Sequence, residues 1–250
     1  ANAGAVGMAV TDFKIVNVAP DDLFWFNGHG VYGWYHVKED PRIPVFSIAP
    51  RRALKLKEQL AAGKITVHAE MNTRIYDGEI YTVTAIIPGE SETEYALFAH
   101  LYEPFAADDS LGFGMAAEIG RIINQIKIRP KKTLRVVFSM ELYGFSAFFA
   151  DEHYSKKIVA ALNLDGFSHL ANRKISFCLS PVSNPFFGDW YYPEFFRGLL
   201  QNFDWQEKFA SLSDDTFCGD PCINIPTNWL YNPSSPYHHN RSEERRVGKE

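Results

Sequence analysis

The sequence predicts an α/β fold: a doubly wound, mostly parallel sheet with helices on both faces, preceded by a small β-rich module. Three observations carry this expectation. From residue 94 onward, strand-like apolar runs alternate with helix-like ones. Those strands are almost continuously apolar, as in "EYALFA" (94–99) and "IVAALNL" (158–164), the pattern of strands buried on both faces. Residues 1–63 have a different texture, with short apolar runs such as "GAVGMAV", "FKIVNV" and "IPVFSIAP" separated by turn signals.

Taken in order, the first module contains one clear helix, from Arg51 to about Ala62, closed by Gly63. The segment "KITVHAEMNTRIYDGEIYTVTAIIPG" (64–89) predicts two long strands around the turn Tyr76-Asp77-Gly78. "EYALFAH" is the next strand, followed by a helix over 109–126. In that helix Ile119, Ile122, Ile123 and Ile126 recur at i, i+3, i+4 and i+7, an apolar stripe expected to face the core. Strand "TLRVVFSM" (133–140), helix 145–155, strand "IVAALNLD", strand "KISFCLS", helix 193–203 and strand "CINIPTNWL" complete the order. The aromatic stretch "NPFFGDWYYPEFF" (184–196) is expected to be mainly buried core. The domain expectation is therefore a β-rich module over 1–63, an α/β domain over 64–240 and a charged tail over 241–250.

Composition removes several function classes. The net charge is −5 and no basic stripe with interleaved aromatics is present, which argues against a nucleic-acid partner. No apolar run approaches the roughly 20 residues of a membrane span. Three cysteines (Cys178, Cys218, Cys222) build neither a disulfide scaffold nor a four-cysteine zinc site, although Cys218 and Cys222 are spaced for a local disulfide. The chain opens Ala1-Asn2-Ala3-Gly4 without an initiator Met and is expected to be an internal fragment.

Doubly wound sheets bind ligands beyond the carboxyl ends of their strands, and chemistry-bearing residues cluster there. "EYALFA" ends at His100, with Asp108 and Asp109 in the loop before the next helix. "TLRVVFSM" ends at Glu141, "IVAALNL" at Asp165, and the loop after "CINIPTNWL" carries His238 and His239. Either aspartate alone reads as a helix N-cap, Asp165 alone as a turn residue, and a lone histidine as a satisfied core residue. Together they crowd carboxylates that repel one another unless a cation lies between them. Nitrogen and oxygen donors suit a pair of divalent ions, zinc first and manganese or cobalt next. In such pairs the ions lie roughly 3.5–4 Å apart, and Asp108, on the loop, is the candidate bridge.

These residues resemble the di-zinc aminopeptidase family that also contains glutamate carboxypeptidase and the transferrin receptor. "AHLYEPFAADDSLG" is similar to its His-then-bridging-Asp stretch, and Gly112 falls where its Ser-Gly glycine falls, which aligns Asp108 with the bridge. "VVFSMELYGFSAFF" resembles its glutamate motif, "ALNLDGFSHL" its Asn-Leu-Asp segment, "SDDTFCGDPCINIPTNWL" its Ser-Asp and Ile-Pro stretch, and "SPYHHN" its final Tyr-His. The likeness covers residues 64–240, and is nearest to a bacterial aminopeptidase-like branch. Residues 1–63 resemble a protease-associated domain. The resemblance implies a zinc-exopeptidase fold, a peptide substrate hydrolysed at its N-terminus by a two-zinc-activated water, and His100, Asp108, Asp165 and His238 as metal ligands, with His238 favoured over His239 by the Tyr-His order.

Three departures are visible. Where the family carries two adjacent glutamates, one base and one ligand, this chain has Met140-Glu141-Leu142, so Glu141 is base or ligand. Asp108 follows Ala107, where the family often has Asn or Asp. The tail "RSEERRVGKE" (241–250) is charged without apolar period; it resembles translated adapter read-through and replaces the family's continuation. Two alternatives follow: a catalytically inactive relative serving as a binding or scaffold module, and a single-zinc acyl transferase of the glutaminyl cyclase type.

Overall fold

The computed structural model describes residues 4–24, 43–72, 74, 76–103, 109–167, 173–209 and 217–232. They fall into two units that divide between Asp77 and Gly78. The predicted loop positions Asp108, His238 and His239, and the charged tail 241–250, lie outside the described residues.

In the first unit, strand β1 (Met8–Val10) pairs in parallel with β2 (Val45–Ser47), and helix α1 spans Pro50–Ala62. Proline at the first helical position has no N–H to leave unpaired, which suits it to open α1. Ile15 and Ala19 form a small buried cluster. The expected β-rich texture reduces, among the described residues, to these two three-residue strands.

The second unit is a seven-stranded mixed sheet. Its strands are β3 (Val83–Ile87), β4 (Ser91–Leu101), β5 (Lys132–Met140), β6 (Ile158–Phe167), β7 (Lys174–Cys178), β8 (Asp204–Lys208) and β9 (Thr227–Asn232), in the spatial order β3-β5-β4-β6-β9-β7-β8. Strands β5, β4, β6 and β9 run parallel to their neighbours in turn, while β3 and β7 join antiparallel. The helices are α2 (Ser110–Ile126), α3 (Tyr143–Ala150), the short α4 (Glu152–Ser155) and α5 (Gly188–Leu199). Among the described residues no helix is long and apolar enough to cross a membrane.

Side-chain alternation along the strands separates two cores. Leu97 and Ala99 of β4, Leu134, Val136 and Phe138 of β5, and Leu162 and Leu164 of β6 meet α2 and α5 on one face. Ala96 and Phe98, Val137, and Ala161 meet the phenylalanines of α3 on the other. Phe98 is fully buried, with its ring centroid 5.4 Å from that of Phe145 and 5.2 Å from that of Phe149. Burying such a ring stabilises by roughly 1.5–3 kcal/mol. Helices thus cover both faces, as expected.

A buried ion pair also crosses the sheet. Arg135 donates through Nε and Nη2 to both oxygens of Glu94, and through Nη1 to Thr84 Oγ1 at 3.0 Å. Removing one partner of such a pair costs about 3–5 kcal/mol because the other charge stays buried.

Three differences from the sequence expectation have physical reasons. Residues 64–72 form no strand, and β3 pairs with β5 instead of with that run, leaving Val67 70% exposed. In α2, Ile119 and Ile123 pack on the core while Ile122 and Ile126 are exposed, because Ala116, Leu111 and Met115 set the buried arc. The aromatic stretch splits: Tyr192 and Phe196 pack inward, whereas Trp190, at 70% exposure, Tyr191 and Phe195 face outward. Cys178, Cys218 and Cys222 form no disulfide, the local pairing of Cys218 with Cys222 included.

Tyr95 of β4 stands edge-on to Tyr192 of α5, ring centroids 6.4 Å apart. Burial pushes the Tyr95 phenol well above its usual value of 10.0, with Tyr192 adding to the effect. Below that usual value both folded and unfolded chains keep the proton. Above it the unfolded chain loses the proton while the folded one retains it, so stability falls as pH rises, by at most about 1.4 kcal/mol per pH unit. Tyr95→Phe is expected to flatten the alkaline limb of a Tm-against-pH curve above about pH 10; an unchanged limb would refute the assignment.

Candidate metal centre

The chain leaves β4 through α2 to reach β5 on one side, then returns through α3 and α4 to β6 on the other side of β4. The carboxyl ends of β4 and β6 therefore flank the topological switch point, where such sheets open a crevice. His100 lies near the end of β4 and Asp165 near the end of β6, 2% and 6% exposed. The pairing of Phe98 with Asn163 sets the register, and two residues on, on the same face, His100 and Asp165 meet. His100 Nε2 and Asp165 Oδ1 share a hydrogen bond at 3.1 Å.

Asp109 completes the group. It is the N-cap of α2, and its Oδ1 accepts the Gly112 N–H at 3.2 Å. Its Oδ2 accepts the backbone N–H of His100 at 3.0 Å. One carboxylate thereby joins the end of β4 to the first turn of α2. Ligand atoms of His100, Asp109 and Asp165, all three buried, lie within 4.8 Å of one another, the one such group among the described residues.

Gly112 makes this junction feasible. A Cβ there would sit 1.9 Å from the carbonyl oxygen of Leu164 and 2.3 Å from Asp109 Oδ1. Only a residue without a side chain lets α2 begin so close to the end of β6.

The donor set fits a divalent cation. Among the described residues the cluster sets two carboxylates beside one imidazole, in a place where burying charge is costly unless a cation offsets it. Each carboxylate oxygen has two lone pairs, so Asp109 can accept its backbone bonds and still offer a ligand atom. One imidazole and two carboxylates suit zinc, and also manganese.

Of the residues expected from the sequence, His100 and Asp165 are brought together. Asp108 and His238 lie outside the described residues. Glu141 is half-buried on the turn just past the end of β5, beside the end of β4, and is not among the three clustered donors. That turn is a γ-turn of the rare, strained hand: the Tyr143 N–H donates to the Glu141 carbonyl at 2.6 Å, with Leu142 at φ 57° and ψ −57° between them. From the sequence alone Asp109 reads as an N-cap beside the candidate bridge. It caps the helix and also joins the cluster, a double use that spacing alone does not reveal.

No protein-family description matches the chain, and no curated protein does. Solved structures do match. A Clostridium acetobutylicum protein provisionally assigned as a peptidase is similar with a TM-score of 0.67 at 16% identity, over 94% of this chain and 51% of that one. BSAP, a zinc aminopeptidase from Bacillus subtilis, gives a TM-score of 0.53 at 15% identity, over 65% of this chain and 44% of its own. LapA from Legionella pneumophila gives 0.52 at 14%, over 62% and 48%. The chain spans about half the length of these structures. At such identities the likeness is one of fold: this is the α/β fold in which zinc aminopeptidases are built.

The role of Gly112 is open to a paired test. Gly112→Ala is expected to destabilise by about 1–3 kcal/mol through overpacking against Leu164 and Asp109. Gly114→Ala, two residues on, meets nothing within 4 Å and is expected to stabilise by roughly 0.5–1 kcal/mol. Denaturant unfolding of both checks this, and equal responses would refute it.

Proposed function

We propose that this chain is a metal-dependent, aminopeptidase-like hydrolase acting on the N-terminal bonds of peptides. The observation that carries the reading is the buried His100–Asp109–Asp165 group at the switch point of the sheet. The fold shared with zinc aminopeptidases supports it.

In this reading His100, Asp108, Asp165 and His238 would hold two zinc ions, Asp108 in the bridging role that the resemblance gives it, while Asp109 braces the end of β4 against the start of α2. The chemistry a divalent ion supplies when bound is Lewis acidity, which lowers the pKa of water and polarises a carbonyl. Glu141, on its rim turn, serves either as the general base or as a ligand. As the base, its carboxylate takes the proton of the attacking water and returns it to the leaving amine. The burial of Asp109 and Asp165 excludes bulk water from their side of the crevice and keeps their charge unscreened.

A second reading has an observation of its own. Three clustered donors suffice for one catalytic zinc with its fourth position open, which is the requirement of a single-zinc acyl transferase of the glutaminyl cyclase type.

Elemental analysis after dialysis against trace zinc, with aminoacyl-anilide and N-terminal glutaminyl substrates, separates the readings. About two ions per chain, lost in His100→Ala and Asp165→Asn, with release of the N-terminal residue, is the expected result. Glu141→Gln is expected to keep both ions and lose on the order of 10²–10⁴-fold in kcat if Glu141 is the base; loss of an ion instead makes it a ligand. One ion with glutamine cyclisation favours the transferase. A folded chain that retains no metal overturns both and leaves a binding module.

A further inference from the structure

The ladder between β6 and β9 changes register at one place. Leu164 pairs with Leu230 and Phe167 with Asn232, so Asp165 and Gly166 together oppose Tyr231. An extra residue of this kind bends its strand and re-aims the side chains around it. Gly166 takes φ 76°, a conformation that disfavours a side chain. Asp165, whose carboxylate enters the candidate metal centre, is thus the first residue of a bulge, and the direction of that carboxylate depends on how the bulge is held.

The holding contact comes from β9. The indole Nε1–H of Trp229 donates to the backbone carbonyl of Asp165 at 3.0 Å. Trp229 pairs with Asn163 in the register of β6 and β9 and points to the same face of the sheet as Asp165. Its ring is fixed in turn. Tyr231 stacks on it with centroids 4.1 Å apart and planes at 16°. Lys208 Nζ lies 3.1 Å from Tyr231 Oη and 5.5 Å from the centre of that ring.

We propose that Trp229 is the positioning residue of the metal centre: by pinning the Asp165 peptide inside the bulge, it sets the direction of the Asp165 carboxylate and hence the affinity of the site for zinc. The inference rests on the metal-site reading above. Trp229 acts through Asp165 and need not touch ion or substrate. Groups that orient a metal ligand from behind typically contribute 10–100-fold in metal affinity.

The test is the zinc Kd, measured by competition with a chromophoric chelator, alongside far-UV circular dichroism and the thermal midpoint of the metal-free chain. Trp229→Phe keeps a ring for Tyr231 to stack on and removes the donor; it is expected to weaken zinc binding by about 10–100-fold. Trp205→Phe is the control, since Trp205 packs in the opposite core and donates to Glu207, and it is expected to bind zinc as the wild type does. A merely structural role for Trp229 would lower the metal-free midpoint and leave the Kd unchanged. Wild-type affinity in folded Trp229→Phe therefore overturns the proposal. If that variant does not fold, Tyr231→Leu, which keeps the donor but removes its clamp, is expected to weaken zinc in the same direction, and wild-type affinity there overturns the proposal equally. A wild-type chain that binds no zinc is a different result, which removes the metal-site reading and this inference together.

Discussion

Two backbone hydrogen bonds accepted by the Asp109 carboxylate organise the end of the sheet that carries the candidate site. One comes from His100, the next-to-last residue of a buried strand, and the other from the first turn of the following helix, Gly112. Hydrogen bonds to an ionised acceptor are stronger than neutral ones, and the N-terminal end of a helix favours negative charge. Part of the cost of burying this carboxylate is therefore offset by backbone alone. The position of α2 follows from the same junction, and with it the close approach of that helix to the end of β6. Fold and candidate chemistry thus share a single side chain.

A comparison within the protein clarifies what is unusual about the cluster. Asp189, at the start of α5, accepts from the Ser180 N–H and Oγ–H, the Phe186 N–H and the Asn228 side-chain amide, at 2.7 to 3.1 Å. That carboxylate is surrounded by neutral protein donors and needs no ion to account for it. At the β4–β6 rim, by contrast, two carboxylates and an imidazole are gathered on one another. The fold uses the same residue type once to brace a loop and once to concentrate negative charge.

Much of this was legible in the residues. Continuous apolar runs located β4, β5 and β6, because strands buried on both faces leave no room for polar alternation. Endings of those runs picked out His100 and Asp165, since a chain rarely buries such groups without a purpose. The partnership with Asp109 was not legible. It depends on how near α2 begins to the Leu164 carbonyl, a distance that spacing along the chain does not encode. The edge strand β8, "DWQEK", carries no apolar run, because an edge exposed to water can be polar. Residues 64–72 alternate as a strand would but have no ladder to join, since β5 pairs with β3 instead. Trp229 carried no signal at all, because its contact runs from a side chain to a carbonyl on another strand.

The Asp109 junction also constrains how this architecture can change over generations. A lineage relieved of catalysis is free to discard His100 or Asp165, whose side chains serve the crevice. It is not equally free to discard Asp109 or Gly112, because the strand-to-helix corner is made of them. A descendant that held no metal would still carry one of the three clustered donors, Asp109, as masonry. In this architecture, then, an aspartate at the head of α2 is weak testimony to activity, and the histidine at the end of β4 is the better witness.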